Sequence, residues 1–524
     1  MSASRSLLSL LALGLVACTP KVEDTAPEDG QTTTADGGSD TGTTPTPIVE
    51  DADGDGIEAG EDCDDANPYL GQGEQTFSVD LVLDSQEAVD GFCMGACTVH
   101  LDGSLRIDAI DGAAPGEADL AGLACLSSIR GDLNIGAGST LASLAGLDQL
   151  RSVGGDLLLS GNDALVDLHG LASLEEVGGY LWIQDNATMG TLQGLESIRS
   201  VGGDLTLFGT QLSSLLGLDT LQSVGGTLEV AHNSALASVD GLRALQRVGG
   251  DLIVDQNPQL ANLGGLSELS EFGGELVIED NALLVDLSGL EGLSNALDVR
   301  IEGNDELFTL EGLGLQGTVS GTVQVHDNPS LASLIGLHAL EGTGGFLSIR
   351  DNDWLIDLSG LEGLRLAGDD LIIGENDRLE SVEGLQNLVL VGGDLYLTSN
   401  FSLADLDGLE ALQAVVGDLS LRDNDSLHTM EGLSGLRSVG SDLSIREHLS
   451  LERLSGLEGL FSIGKDLNIE DNPVLTDISA LKNLVRVEAD VRIRANDRLT
   501  QQEIDALLAE IDEIGGNTAA VGTP

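Results

Sequence analysis

The sequence predicts a mainly β fold: a right-handed β-helix, or solenoid, of about sixteen 24-residue coils with a C-terminal capping helix. Three features of the sequence predict it. A unit of the form D-L-x-I returns at a fixed spacing, an Asn follows most units at a fixed offset, and two glycines precede half of them. A strict period over hundreds of residues is typical of a solenoid, in which each coil contacts only its neighbours.

The spacing of the D-L-x-I unit sets the length of one coil. Thirteen of the fifteen steps between successive units are 24 residues long, and two are 23. The last aliphatic residues of the units are Ile135, Leu159, Ile183, Leu207, Val230, Val254, Ile278, Ile301, Val325, Ile349, Ile373, Leu397, Leu421, Ile445, Ile469 and Ile493. Because side chains alternate along a strand, the two aliphatic residues of each unit face the core and the other two face outward. Each unit therefore predicts one strand, and residues 105–110 predict a degenerate first coil.

The Asn and Gly residues of the repeat indicate how the coil turns. Asn stands three residues after the last aliphatic residue, where a buried amide can bond the backbone of its own coil and of a neighbour. Thr210 and His448 interrupt this row. The Gly-Gly pair before these strands is expected to form a corner at which a positive φ is favourable.

The repeat LxxVGGDLxIxxNxxLxSLxGL resembles that of the receptor L domain, the leucine-rich-repeat-like β-helix of insulin and EGF receptor ectodomains. The segment CTVHLDGSLRI, which begins at Cys97, resembles that family's C-x-V-x-G-N-L-x-I opening. The resemblance covers about residues 93–514 and implies extracellular binding of a ligand or partner without catalysis. This chain departs from the family because it runs through many more coils than one L domain.

The two ends of the solenoid, 105–498, are expected to be sealed. Residues 71–104 are predicted to form an N-terminal cap, and residues 499–514 a capping helix that starts with a Thr500–Glu503 capping box. Residues 515–524 are predicted to be a flexible tail.

The first residues of the chain predict export. Residues 1–17 combine Arg5 with a short apolar run, as in a signal peptide, and Leu-Val-Ala before Cys18 resembles the bacterial lipobox. The lipobox implies cleavage before Cys18 and lipidation of that residue; an ordinary signal peptide is the alternative. Thr19 favours the outer membrane over inner-membrane retention. Residues 18–50 have too few apolar side chains to fold and predict a disordered tether. We expect an outer-membrane lipoprotein at the cell surface, with a periplasmic orientation left open.

Residues 51–70 predict a weak calcium site. Hard cations prefer several oxygen ligands on a tight turn. The spacing of the acidic loop supplies them from the side chains or, for Ile57, the carbonyl of Asp51, Asp53, Asp55, Ile57 and Asp62. The loop resembles thrombospondin type 3 repeats and the bacterial DxDGDG…DCDD motif, which implies calcium binding. A solvated acidic linker is the alternative.

The cysteines other than Cys18 lie near the start of the solenoid and predict structural disulfides. Four thiols in an exported chain allow two disulfides, with three possible pairings. These residues are Cys63, Cys93, Cys97 and Cys125.

The charge of the chain restricts its partners. With 88 acidic and 22 basic residues, its formal charge is −66. This charge repels nucleic acids and anionic lipids, so we expect no nucleic-acid partner, membrane contact only through the lipid anchor, and a monomer. Adaptation to high salt and cation binding are both consistent with such acidity.

Two outward-facing features are candidate binding surfaces. One is the row of acids that begins each strand, six of them consecutive from Asp370 to Asp490. These acids are expected to be solvated and paired with Arg422, Arg446, Arg492 and Arg494, or to hold calcium or a cationic partner. The other is an aromatic cluster.

The aromatic cluster comprises Tyr180, Trp182 and Phe208 on adjacent coils. Exposed aromatic side chains can stack on sugars or anchor a protein partner. The alternative is that they cover a corner or pack on the next coil. Trp354 is expected to pack on a turn.

The sequence favours recognition over catalysis. Its seven His residues are scattered, and no nucleophile or phosphate-binding motif stands out. We expect a non-catalytic surface for a protein or glycan partner at the envelope or on another cell. The alternatives are a passive spacer or envelope scaffold and, more remotely, a polysaccharide-acting β-helix enzyme.

Overall fold

A long parallel sheet runs through the part of the chain that the computed structural model describes, residues 73–523 without 94, 112, 115, 137 and 139. In this part, the sheet contains nineteen strands, and successive strands delimit about 18 coils. The predicted solenoid is therefore confirmed. The signal peptide 1–17, the tether 18–50, and the calcium loop 51–70 lie outside the described residues, as does Cys63.

The strands of the long sheet pair in the order of the sequence. Each pairs with the next in parallel, as Leu181 does with Leu157 and Leu205. The first and last described strands each have one described partner, so the sheet is open at both ends. The strands are Leu81–Ser85, Leu105–Asp111, Leu133–Ile135, Leu157–Ser160, Leu181–Gln184, Leu205–Phe208, Leu228–Ala231, Leu252–Asp255, Leu276–Glu279, Val299–Glu302, Val323–His326, Leu347–Arg350, Leu371–Gly374, Leu395–Thr398, Leu419–Arg422, Leu443–Arg446, Leu467–Glu470, Val491–Arg494 and Thr518–Ala520.

The solenoid extends further than the sequence predicted at both ends. The first strand, Leu81–Ser85, lies in the region 71–104 that was expected to be a cap. The last strand, Thr518–Ala520, lies in the segment 515–524 that was expected to be flexible, and it pairs with Val491–Arg494. Both additions give hydrogen-bond partners to strands that would otherwise be exposed edges.

Two shorter parallel sheets form a second face of the solenoid. The row breaks between Phe272 and Gly317, where Ser294-Asn295-Ala296 replaces the usual pattern. The first short sheet contains Glu74–Phe77, Thr98–Leu101, Leu126–Ile129, Ser152–Val153, Glu176–Val177, Ser200–Val201, Ser223–Val224, Arg247–Val248 and Glu271–Phe272. The second contains Gly317–Val319, Leu340–Thr343, Leu366–Ala367, Leu390–Val391, Ala414–Val415, Ser438–Val439, Ser462–Ile463, Arg486–Val487 and Glu513–Ile514.

Helices are short and few in the described residues. The α-helices are Gln86–Asp90 and Gln501–Glu510. Short 3₁₀ helices occupy the third face at Ala121–Leu123, His169–Leu171, Asp240–Leu242, Gly264–Leu266, Glu431–Leu433 and Ser479–Asn483. Within the described residues, no helix is both long enough and apolar enough to cross a bilayer.

The ends of the solenoid are held by local bonds. Thr500 Oγ1 accepts the Glu503 N–H at 3.3 Å, and Glu503 Oε2 accepts the Thr500 N–H at 2.9 Å, which is a capping box. At the N-terminal end, a disulfide joins Cys93 to Cys125. Cys97 is also disulfide-bonded.

The predicted Asn row forms a hydrogen-bonded ladder in the core. The side-chain amide of Asn186 donates to the carbonyl oxygens of Leu159 in the preceding coil (2.9 Å) and Gln184 in its own (3.0 Å). Its Oδ1 accepts the backbone N–H of Asn162 at 2.9 Å. Each Asn thus satisfies turn groups that would otherwise be buried without partners.

His448 replaces one Asn of the ladder and keeps the bonds to the preceding coil. Its Nδ1 accepts the Asn424 N–H at 3.3 Å, and its Nε2 donates to the Leu421 carbonyl oxygen at 3.2 Å. Burial lowers the pKa of His448 to about 4, although contacts with Asn424, Leu421 and Glu447 act in the opposite direction. The imidazole is therefore neutral at physiological pH.

The paired glycines do not have the positive φ that was expected. Gly154 and Gly155 are not among the positive-φ glycines of the described chain. A Cβ on Gly154 would lie 2.5 Å from the Arg130 carbonyl oxygen, and one on Gly155 would lie 2.1 Å from Asp132 Oδ1. The pair is glycine because the preceding coil approaches too closely for a side chain, not because of its backbone angles.

Candidate functional site

The outer face of the long sheet carries three side-chain rows. We call the residues that precede each strand the ladder row, since they bond successive coils; Asp156 and Asp442 are examples. The middle row lies between the two buried aliphatic residues, as Trp182 does between Leu181 and Ile183. The strand-end row includes Phe208.

The ladder row carboxylates are hydrogen-bond acceptors for the backbone of the following coil. Asp394 Oδ1 accepts the Asp418 N–H at 2.6 Å, and Asp418 Oδ1 accepts the Asp442 N–H at 2.9 Å. Asp490 Oδ1 likewise accepts the N–H of Asn517 at 2.7 Å. These bonds explain the stacked carboxylates without a ligand, because a backbone N–H stabilises the ionised form.

Of the four arginines that were predicted to pair with the ladder row, one does so. Arg492 contacts Asp466 and Asp490. Burial acts to raise the pKa of Asp466, but the bond from Asp490 and the pairing with Arg492 leave this pKa below its usual value.

The other three predicted arginines reach different acids. Arg422 Nε lies 2.8 Å from Glu447 Oε2. Arg446 and Arg494 both pair with the buried Glu470. All three arginines stand at the ends of their strands. Arg446 and Arg494 pair with Glu470 because it is the end residue of the strand between theirs. Arg422 reaches Glu447, which follows the next strand.

Tyr180 and Trp182 form an exposed aromatic pair on one strand. Tyr180 is 47% exposed and Trp182 is 43% exposed. The Trp182 Nε1–H donates to Gln184 Oε1 at 2.7 Å. The Tyr180 ring covers Gly203, since a Cβ there would lie 2.6 Å from Tyr180 Cδ1. Both side chains thus contact neighbouring residues of the sheet, and nearly half of each remains exposed.

Phe208, the third predicted aromatic residue, is less accessible. Its ring centroid lies 4.5 Å from that of His232, and its side chain is half-buried. Phe208 thus packs on the next coil, as the alternative interpretation of the sequence held, and Tyr180 and Trp182 remain as the candidate contact residues.

Trp354 differs from the sequence-based expectation because it is exposed on a turn. It is 54% exposed, and the Arg378 guanidinium lies 4.9 Å from its ring centroid. The sequence did not distinguish exposure from packing here, because the position two residues after the Asn varies between coils, with Leu283, Glu306 and Arg378 as examples.

The turns that follow the strands of the long sheet form a surface that we call the turn face. An acidic groove of about 440 Å³ lies on it. Five aspartates line it: Asp280, Asp305, Asp327, Asp351 and Asp353. Burial and the nearby Glu375 raise the pKa of Asp351 to about 6. Among the described residues, no group of three or more His, Cys, Asp or Glu side chains is arranged to hold a metal ion.

Two serine–histidine contacts bear on possible hydrolytic chemistry. Ser348 Oγ lies 2.8 Å from His326 Nε2, but Ser348 is only 2% exposed, so a substrate cannot reach its hydroxyl. Ser128 Oγ lies 2.6 Å from His100 Nδ1 on the first short sheet.

The Ser128–His100 contact includes a carboxylate, with Glu74 Oε1 at 3.1 Å from His100 Nε2. Acyl transfer also needs free N–H donors for the oxyanion. Strand N–H groups beside this contact are already bonded, as Val99 N–H is to the Cys125 carbonyl oxygen at 2.7 Å. Glu74, His100 and Ser128 therefore form a row of polar side chains across three neighbouring strands.

Comparison with known proteins finds 18 similar chains among solved structures. No protein-family model matches the sequence, and no curated protein does. A leucine-rich-repeat protein of Leptospira interrogans is similar at 17% identity and a TM-score of 0.26, over 66% of this chain and 91% of that one. The solenoid architecture of this chain rests on its own strand pairing.

Proposed function

We propose that this chain is a non-catalytic recognition protein of the cell envelope, which binds a protein or glycan partner through the long sheet. The observation that carries the proposal is the exposed Tyr180–Trp182 pair in a chain with only 2% aromatic residues. Aromatic side chains with accessible faces supply much of the binding energy in protein interfaces. They also provide a flat apolar surface on which a sugar ring can stack.

The N-terminal residues support a location for this function. Lipidation of Cys18 would anchor the chain to the outer membrane, and the tether 18–50 would hold the solenoid away from the lipid. Calcium bound by the loop 51–70 would order the segment that enters the first coil. Protease treatment of intact cells tests the orientation: loss of the solenoid supports the surface, and survival supports the periplasm and an envelope scaffold.

Tryptophan fluorescence tests the binding surface directly, because the chain has only two tryptophans. In the variant Trp354→Phe, Trp182 is the sole reporter. Oligosaccharides that bind on a printed array should shift its emission on titration, and Trp182→Ala should weaken their binding by about tenfold or more. A protein partner should crosslink in cells to a photoreactive residue at Leu158, which pairs with Trp182.

The middle row supplies a matched control for this experiment. Ser420 occupies the same position in a distant coil, and a photoreactive residue there should give no crosslink to the same partner. If Trp182→Ala changes neither glycan binding nor crosslinking, the binding proposal fails. Loss of envelope function on deletion of whole coils would then favour the passive spacer.

A further inference from the structure

The turn face carries a second surface, formed by apolar side chains on four consecutive coils. We call Val285, Phe308, Ala332 and Ile356 the apolar row. The Phe308 N–H donates to the Val285 carbonyl oxygen and the Ala332 N–H to that of Phe308, both at 3.0 Å, so the row is continuous between these coils. Phe308 is 56% exposed, and Val285 and Ile356 are also exposed.

Further exposed apolar side chains widen the row. Leu283 and Trp354 stand two residues before Val285 and Ile356, and Ile335 is exposed between them in the sequence. Exposed apolar side chains that recur on neighbouring coils are candidates for an interaction site.

Acidic side chains border the apolar row. Asp305 and Asp353 of the acidic groove stand three residues before Phe308 and Ile356. Ile356 itself lines a second groove with Asp357, Glu380 and Asp405 among its other residues. Burial is the main cause of the raised pKa of Asp351, and the negative charges of Glu375 and Asp327 add to it.

Charge complementarity identifies the occupant. A second copy of this chain or an anionic lipid surface would bring like charge to the acidic borders, given the net charge of −66. A single metal ion lacks a suitable ligand group among the described residues. The remaining chemistry combines several spaced positive charges with an apolar strip.

We propose that the apolar row and its acidic borders bind a basic amphipathic segment of another protein, in which Lys or Arg side chains flank aliphatic ones. The apolar strip of the segment would cover Phe308 and Ile356, and its cations would lie over the grooves. This surface is separate from Tyr180 and Trp182, and the inference does not depend on them.

A synthetic helical peptide of Leu and Lys, with its Leu residues on one face, tests the proposal. The protein carries Trp182→Phe, so that Trp354 beside the apolar row is the only reporter. At about 0.15 M salt, where long-range attraction is screened, the peptide should shift the Trp354 emission. A peptide with every Leu replaced by Ser should bind about tenfold more weakly, and one with every Lys replaced by Glu should not bind.

Protein variants separate this site from general attraction to an acidic protein. Phe308→Ser and Ile356→Ser should each weaken the Leu–Lys peptide by about tenfold. Val166→Ser is the matched control, since Val166 is exposed at the same position of a distant coil, and it should have no effect. No binding, equal binding of the Ser–Lys peptide, or equal affinities of all three variants would each overturn the proposal.

Discussion

An aspartate of the ladder row bonds the backbone of the next coil through its carboxylate. Asp418 shows both halves of the pattern, because its N–H donates to Asp394 and its carboxylate accepts from Asp442. A bond between an N–H and a carboxylate is stronger than one between neutral groups. Part of the acidity of this face is therefore a result of coil stacking, which adaptation to salt or binding of cations need not explain.

A buried histidine in the Asn ladder makes stability depend on pH. The folded pKa of His448 is about 4, below its ordinary value of about 6.5, so the unfolded chain binds more protons between these pH values. This contribution to stability is complete above about pH 6.5 and is lost as the pH falls towards 4. It amounts to about 3 kcal/mol.

His448→Asn should restore the uniform ladder and remove this contribution. We expect its urea midpoint, measured by circular dichroism, to exceed that of the unchanged protein by an amount that grows as the pH falls from 7 to 4. The exposed His428→Asn is the control and should show no such trend. A constant difference across this range would mean that the buried imidazole does not titrate in this way.

At the scale of the coil, glycine serves two different purposes. Gly170 has no room for a side chain, because a Cβ would lie 1.8 Å from the Leu144 carbonyl oxygen. Gly161 has open space but a φ of +68°. In the next coil the same position is Asp185, with a φ of 51°, so the second requirement is one that Asp and Asn tolerate.

We therefore expect substitution of the two glycines to change the free energy of unfolding by different amounts. Gly170→Ala should lower the free energy of unfolding by about 2–3 kcal/mol, since the coils must separate to admit the methyl group. Gly161→Asn should change it by less than about 0.5 kcal/mol. Chemical denaturation of both variants checks the pair, and similar losses would contradict the steric explanation.

The sequence predicted strands where aliphatic residues alternate at the 24-residue spacing. It missed strands where the alternation or the spacing is lost. Asp80-Leu81-Val82-Leu83 is a repeat unit, with Leu83 lying 24 residues before Ile107, but the longer step from Ile107 to Ile135 hides the period. Thr518–Ala520 has no large aliphatic residue and is a strand only because it pairs with Val491–Arg494.

For the solenoid as a whole, the last strand protects an open sheet. Without residues 515–524, the strand Val491–Arg494 would present unpaired N–H and C=O groups, which favour edge-to-edge association. A chain that ends at residue 514 should remain monomeric at low salt, where its charge repels a second copy, and self-associate at about 0.5 M salt. Light scattering at both salt concentrations measures this.

The full-length chain is the control and should show the same mass at both salt concentrations. If the shortened chain also stays monomeric at high salt, with an unchanged melting temperature, then the last strand is not needed to protect Val491–Arg494 from association.

Only part of the candidate site could be predicted from the sequence. Alternation along the strand places Tyr180 and Trp182 outward without any tertiary information. The stacking of Phe208 on His232 and the bonds of the ladder carboxylates depend on how far one coil lies from the next, which a single repeat does not specify. Trp354 lies on a turn, where no periodic signal distinguishes packing from exposure.

The middle row of the long sheet has a consequence for how such a chain can evolve. Its side chains differ from coil to coil, with Leu158, Trp182, Thr206, Glu229 and Ile253 in succession. Neither the ladder carboxylates nor the Asn amides use this position, so its residue can be exchanged while the inherited framework persists. Mutation and selection can therefore change the side-chain chemistry of this face one coil at a time.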